Sequence, residues 1–193
     1  MVPLSTALAF PLLAADCIEP DSALVALYRG AAAKERGESP LSDERVRLMT
    51  VDPMWALRAR SERYDVILSD PAYPVLAAAG AVHSQEFYRS AAERLARDGI
   101  FAQRIRSVDL GPEALTSLIA TAQNEFSAVM LFDTAPGEVL LVATSSSEGL
   151  VRDGVVSRLQ AGHLRQCLAS CGVDWSMLLN LAAWSPDALM KLL

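Results

Sequence analysis

The apolar positions of this chain fall into short blocks that alternate between the periods of a strand and of a helix. The stretch Tyr64-Asp65-Val66-Ile67-Leu68-Ser69-Asp70-Pro71 carries an uninterrupted apolar run from Val66 to Leu68, then an acid, then Pro71 and Pro74. Such a run reads as a strand buried on both faces that stops at a rigid loop. Before it, Leu4 to Phe10 predicts a short helix opened by Pro3 and closed by Pro11, and Ala14 to Pro20 a short strand ending in Glu19. Asp21 is placed to cap a helix whose apolar positions Leu24, Leu27, Tyr28 and Ala31 share one face. Arg45 to Asp52 reads as a strand, and Met54 to Arg60 as a short helix.

Beyond the loop from Pro71 to Gly80, Ser84 caps a helix with Gln85 and Glu86 in its first turn; Phe87, Ala91 and Leu95 form its buried stripe and Gly99 its stop. Ile100 to Ile105 is a strand, and Gly111-Pro112 opens a helix striped by Leu115, Leu118, Ile119, Ala122 and Phe126. Ala128 to Phe132 and Val139 to Thr144 are strands separated by Thr134-Ala135-Pro136-Gly137, close enough for an antiparallel hairpin. Alternating strands and helices closed by a hairpin predict an α/β fold, a doubly wound sheet with an antiparallel edge. The polar run Ser145 to Gly149 divides this domain, residues 1–145, from a helical appendage, residues 150–193, with helices over Val155 to Cys171, Trp175 to Ala183 and Ala188 to Leu193. Trp175 and Trp184 with Met177 and Leu181 read as the core of that tail.

Composition narrows the partners. The chain has 193 residues, 52% of them hydrophobic but only 6% aromatic, so its apolar content is mostly Ala, Leu and Val, as in helix-covered sheets. A formal net charge of −6 leaves no basic field to displace counterions from phosphates, which argues against nucleic acid as a general partner. No run of about eighteen uncharged apolar residues occurs. The uncharged opening, Met1 to Ala15, lacks the basic start of a signal peptide and is interrupted by Pro3 and Pro11, so it reads as buried structure in a cytoplasmic protein. Cys17, Cys167 and Cys171 with His83 and His163 assemble no convincing metal set, and no metal is expected.

Ligands of open parallel sheets bind outside the carboxyl ends of strands, which makes Asp70 the first candidate for chemistry; a turn-initiating Asp before Pro is the other reading. His83, just ahead of the Ser84 helix, reads as a solvent-facing loop residue, because no nucleophile is placed with it. No nucleophile elbow, phosphate loop or dinucleotide fingerprint is present.

Taken together, Tyr64 to Pro71, Glu86-Phe87-Tyr88, Gly99-Ile100-Phe101-Ala102-Gln103 and Asp109-Leu110 resemble the spermidine synthase family, closest to the domain that bacteria fuse to a membrane-transporter-like segment. The resemblance covers roughly residues 4–145. It implies a class I methyltransferase-like (Rossmann-like) sheet and transfer of an aminopropyl group to a polyamine amine. Decarboxylated S-adenosylmethionine, or S-adenosylmethionine itself, is implied as co-substrate, with no permanently bound cofactor. It also implies that Glu19 holds the ribose hydroxyls, Asp52 lies near the adenine, and Asp70 is the catalytic and amine-binding acid. Gln103 is a further substrate contact, and Tyr73 stands where the family's second, proton-accepting acid falls. A strand and a Gly-x-Gly-x-Gly loop precede the Leu4 helix in the family, so the domain is expected to be N-terminally incomplete, lacking the first strand. A homodimer, or a partner chain supplying that strand or a membrane segment, is the corresponding expectation. A non-catalytic binding or assembly module that keeps the fold, and a methyltransferase, are the alternatives.

Overall fold

The computed structural model describes residues 2–34, 39–71, 80–108, 110–150, 157, 162–170, 172–179, 181–185 and 188. The chain forms two compact units, Met1–Ala56 with Asp153–Leu179, and Leu57–Arg152 with Asn180–Leu193.

The first unit is built around a parallel pair, β1 (Ala15–Ile18) and β2 (Val46–Met49). Their register sets Asp16 opposite Arg47, and the two side chains form an ion pair at 2.8 Å. Between the strands runs α2 (Ser22–Lys34), opened by Asp21, whose Oδ1 accepts the Ala23 N–H at 2.8 Å. Ahead of them, α1 (Val2–Leu8) carries Pro3 in its first turn, where a missing N–H costs nothing. Arg45, paired with Asp43 at 2.7 Å, donates to the carbonyls of Leu8 and Phe10 and so ties the end of α1 to the start of β2. α3 (Pro53–Ala59) follows β2, and α6 (Gly162–Ser170) and α7 (Trp175–Leu179) come from the far end of the chain.

The second unit is a mixed five-stranded sheet in the order β3-β4-β6-β5-β7. β3 (Tyr64–Ser69) and β4 (Leu95–Arg106) are parallel, whereas β5 (Ala128–Ala135), β6 (Glu138–Thr144) and β7 (Ala183–Trp184) join antiparallel. The β5–β6 connection is Pro136-Gly137, with Gly137 at φ 77°, the left-handed region a tight hairpin demands. α4 (Gln85–Arg94) and α5 (Pro112–Gln123) bury Phe87, Tyr88, Ala91, Leu115, Ile119 and Ala122. Phe101 of β4 stacks on Phe126 with centroids 5.1 Å apart and meets Tyr88 edge-on at 5.9 Å. Phe87, Tyr88, Phe101 and Phe126 thus form one aromatic cluster, where each adds tilted or stacked contacts beyond its area.

Four sequence expectations are corrected. β3 is an edge strand, not one buried on both faces: Val66 is 54% and Leu68 57% exposed. The Ser84 helix ends at Arg94 rather than near Gly99, and Leu95 begins β4 by pairing with Tyr64. Gly99 serves the strand instead of stopping the helix, since a Cβ there would sit 2.8 Å from the Tyr64 carbonyl oxygen, at the point where the β3–β4 register shifts. The tail is not helical throughout, for Ala183–Trp184 pair with Phe132 and Leu131 on the outer edge of β5, and Met177 is 59% exposed instead of forming a core. Of the predicted Val155 to Cys171 helix, Gly162–Ser170 is observed; Cys171 and most residues before Gly162 lie outside the described residues.

Candidate functional site

In the first unit, parallel pairing of β1 and β2 brings two of the predicted acids to one end of a sheet. Glu19 follows β1 directly, its N–H donating to the Met49 carbonyl at 3.1 Å and so extending the ladder by one bond. Its Oε1 accepts the Asp21 N–H at 3.0 Å. Asp52 follows β2 and caps α3, its Oδ1 accepting the Trp55 N–H at 3.0 Å. Each carboxylate is therefore oriented by a backbone donor on one oxygen, and an ionised carboxylate has room for several more donors. Beside these strand ends lies an open cavity of about 670 Å³, lined by Ser22, Val25, Ala26 and Arg29 of α2 with Leu48 and Thr50. Ligands of such sheets bind at the carboxyl ends of parallel strands, and the two acids flank this groove in sequence without being among its lining residues.

In the second unit, Asp70 follows β3 and its carboxylate is already engaged. Nε and Nη2 of Arg104 reach Asp70 Oδ1 at 2.7 and 2.6 Å, and Nη1 of the same guanidinium lies 3.6 Å from Glu138 Oε1. Arg106 Nε is 3.7 Å from that oxygen, so two acids and two arginines form one half-exposed cluster. The strand alternation of Gln103, Arg104, Ile105 and Arg106 is the sequence signal for this arrangement, since it sends both arginines to one face of β4. Arg104 and Glu138 are residues that sequence reasoning missed.

Gln103 points to the other face and is fully buried. Its Nε2 donates to Ser69 Oγ at 3.0 Å and to the Val82 carbonyl at 2.9 Å, and its Oε1 accepts the Tyr88 hydroxyl at 2.6 Å. Both amide hydrogens are thus spent inside the protein, and Gln103 bridges the residue before Asp70 to the residue before His83. Burial pushes the Tyr88 phenol well above its ordinary value, so it stays a donor. Tyr73, the remaining predicted substrate contact, and Asp109 lie outside the described residues.

His83 is not solvent-facing, as the sequence suggested, but 7% exposed at the end of a 3-10 turn, Ala81–His83. Neither ring nitrogen makes a hydrogen bond with the described residues. Burial holds the imidazole below its ordinary value, against a weaker opposite influence of nearby Gln103. The sequence carried no sign of this, because burial of a turn residue depends on what folds over it.

The model of the spermine/spermidine synthase domain matches residues 10–146. Polyamine aminopropyltransferase 2 of Streptomyces coelicolor is 33% identical over 129 residues, 63% of this chain, and the chain spans only 23% of that relative's length. Among solved structures, a spermidine synthase in complex with the transition-state analogue AdoDATO superposes with a TM-score of 0.62 at 17% identity, over 72% of this chain and 49% of that one. Human methyltransferase-like protein 13 in complex with SAH gives 0.66 at 20% identity, over 87% and 77%. These likenesses fix the fold as class I methyltransferase-like.

Proposed function

This chain belongs to the spermine/spermidine synthase domain family, and on that premise we propose that it takes part in aminopropyl transfer from decarboxylated S-adenosylmethionine to a polyamine amine. The observation that carries the reading is the parallel β1–β2 pair, which delivers Glu19 and Asp52 to the same sheet end beside an open cavity. Glu19 accepts the two ribose hydroxyls of the donor, a task that suits a carboxylate with two acceptor oxygens, and Asp52 lies toward the adenine. Asp70 holds the ammonium of the acceptor through charge. The acceptor nitrogen, having given its extra proton to a base, attacks the aminopropyl carbon bound to the sulfonium; the carbon–sulfur bond breaks and methylthioadenosine leaves. Because the sulfonium is already a good leaving group, catalysis reduces to positioning the amine and removing its proton. The AdoDATO and SAH complexes of the structural neighbours support a donor site for a sulfur-linked nucleoside on this fold.

Calorimetric titration with decarboxylated S-adenosylmethionine, S-adenosylmethionine and methylthioadenosine tests the proposal, together with chromatography of a reaction containing putrescine. We expect saturable heat with the decarboxylated donor and a new aminopropylated amine. No heat at millimolar nucleoside refutes it, and preference for S-adenosylmethionine with methyl transfer replaces it by a methyltransferase.

A second reading, a non-catalytic assembly module, is favoured by the edge strand β3, whose Val66 and Leu68 are more than half exposed. Light scattering across a concentration series distinguishes it: self-association lost in Val66→Lys supports assembly through this strand, and a monomer at every concentration counts against self-assembly.

A further inference from the structure

Resting on the reading of Asp70 as the amine-binding acid, we propose that Arg104 is a built-in competitor for that carboxylate, and that an acceptor amine binds by displacing the guanidinium toward Glu138.

The guanidinium sits between two acids. Two of its nitrogens converge on a single oxygen of Asp70, at 2.7 and 2.6 Å, while the third stands 3.6 Å from Glu138. An ammonium arriving at Asp70 meets a carboxylate already paired, so it gains only the difference between its own contact and the one it replaces. Glu138 lowers the cost of that exchange, because Arg104 passes from one carboxylate to another rather than into water. Arg106, 3.7 Å from the same Glu138 oxygen, shares that acid and keeps the four-residue cluster electrically neutral. The side chains of Asp70 and Arg104 are each 34% exposed and that of Glu138 is 30% exposed, so a small amine reaches the pair without unfolding. At this exposure an ion pair holds weakly enough to yield to a competing cation.

The test is calorimetric titration of putrescine into the wild-type chain, Arg104→Met, Glu138→Gln, the double variant and Asp70→Asn, with methylthioadenosine binding read on each protein. Removing the competitor in R104M tightens putrescine binding by about two- to fivefold, the range an exposed ion pair corresponds to. E138Q weakens it by a similar factor by removing the acid that receives Arg104. In the R104M background the E138Q effect disappears, a coupling that a merely structural role of either residue does not produce. D70N abolishes putrescine binding in every background. Unchanged or weaker putrescine binding by R104M, or an E138Q effect that persists without Arg104, overturns the proposal while methylthioadenosine binding leaves the functional reading standing. Failure of wild type and R104M alike to bind putrescine overturns the proposed competition at Asp70, and if methylthioadenosine is not bound either, the functional reading falls with it.

Discussion

Replacing Gln103 with methionine removes a side chain that joins the end of β3, the turn at His83 and helix α4. The amide is fully buried and makes three hydrogen bonds, to Ser69, Val82 and Tyr88. Methionine fills much the same volume, so the change is one of polarity rather than packing. It leaves the Tyr88 hydroxyl, on a side chain with no exposed surface, without its acceptor, and the Val82 carbonyl without this donor. Orphaning a buried polar group costs about 1–3 kcal/mol, whereas the half-exposed Ser69 hydroxyl turns to water at little cost. The two orphans together, less the gain from burying an apolar side chain, come to about 3 kcal/mol, a large part of a typical domain's stability. With a urea m-value of about 2 kcal/mol/M the midpoint falls by about 1.5 M at unchanged m. Tyr88→Phe alone costs about 1 kcal/mol. The double variant Q103M/Y88F is more stable than the sum of the two losses implies, because it removes both partners of the 2.6 Å bond and leaves no orphaned hydroxyl. Urea unfolding followed by circular dichroism measures all four proteins. A Q103M unfolding free energy within about 0.5 kcal/mol of wild type, or strict additivity in the double variant, refutes this account of the network.

Three other perturbations separate structure from chemistry. Because burial depresses the His83 pKa, the unfolded chain takes up a proton where the native one does not, so stability present above the ordinary histidine value is lost as pH falls below it; unfolding at pH 7.5 and 5.5 should show a drop that shrinks in His83→Gln, and an equal drop in both proteins contradicts it. Gly99→Ala forces a methyl to within 2.8 Å of the Tyr64 carbonyl oxygen and should cost about 1–3 kcal/mol in thermal melting, a neutral result meaning the strands are not so close. Asp52→Ala should cost about 1 kcal/mol by uncapping α3, while Asp52→Ser keeps the cap and the stability; if D52S also keeps full affinity for methylthioadenosine, Asp52 is a cap and not a nucleoside contact.

The elements that sequence periodicity located are those whose signal is local. Asp21 before α2, Ser84 before α4 and Gly111-Pro112 before α5 state where a helix starts, and the chain obeys them because a cap is satisfied within a few residues. What failed depends on partners distant in sequence. Leu95 fits the stripe of a helix, yet its backbone is taken by Tyr64, and Gly99 reads as a helix stop until the nearness of the Tyr64 carbonyl shows why no side chain is tolerated. Val66 and Leu68 look buried because a continuous apolar run is typical of a central strand, and no local pattern tells an edge from a centre. Ala183-Trp184 has too few residues to show any period, so only the open edge of β5 decides that it becomes a strand.

The candidate site divides along the same line. Asp70 is a candidate because an acid after a strand is a local pattern, whereas Glu19 and Asp52 are candidates through the family resemblance; all three follow strands, which explains their structural bonds, as each sits where backbone N–H groups or a neighbouring strand's side chain are within reach. At Glu19 and Asp52 a neutral backbone donor orients the carboxylate and leaves its charge in place, so these structural bonds are compatible with the nucleoside contacts proposed for them. At Asp70 the partner is instead a guanidinium, which on the proposal made above competes with the amine for the carboxylate. An acid held by a backbone amide is therefore prepared for its ligand, whereas an acid held by an arginine is guarded against one. On the proposal made above, amine affinity is accordingly set on β4, by Arg104, as much as at the end of β3, where Asp70 lies.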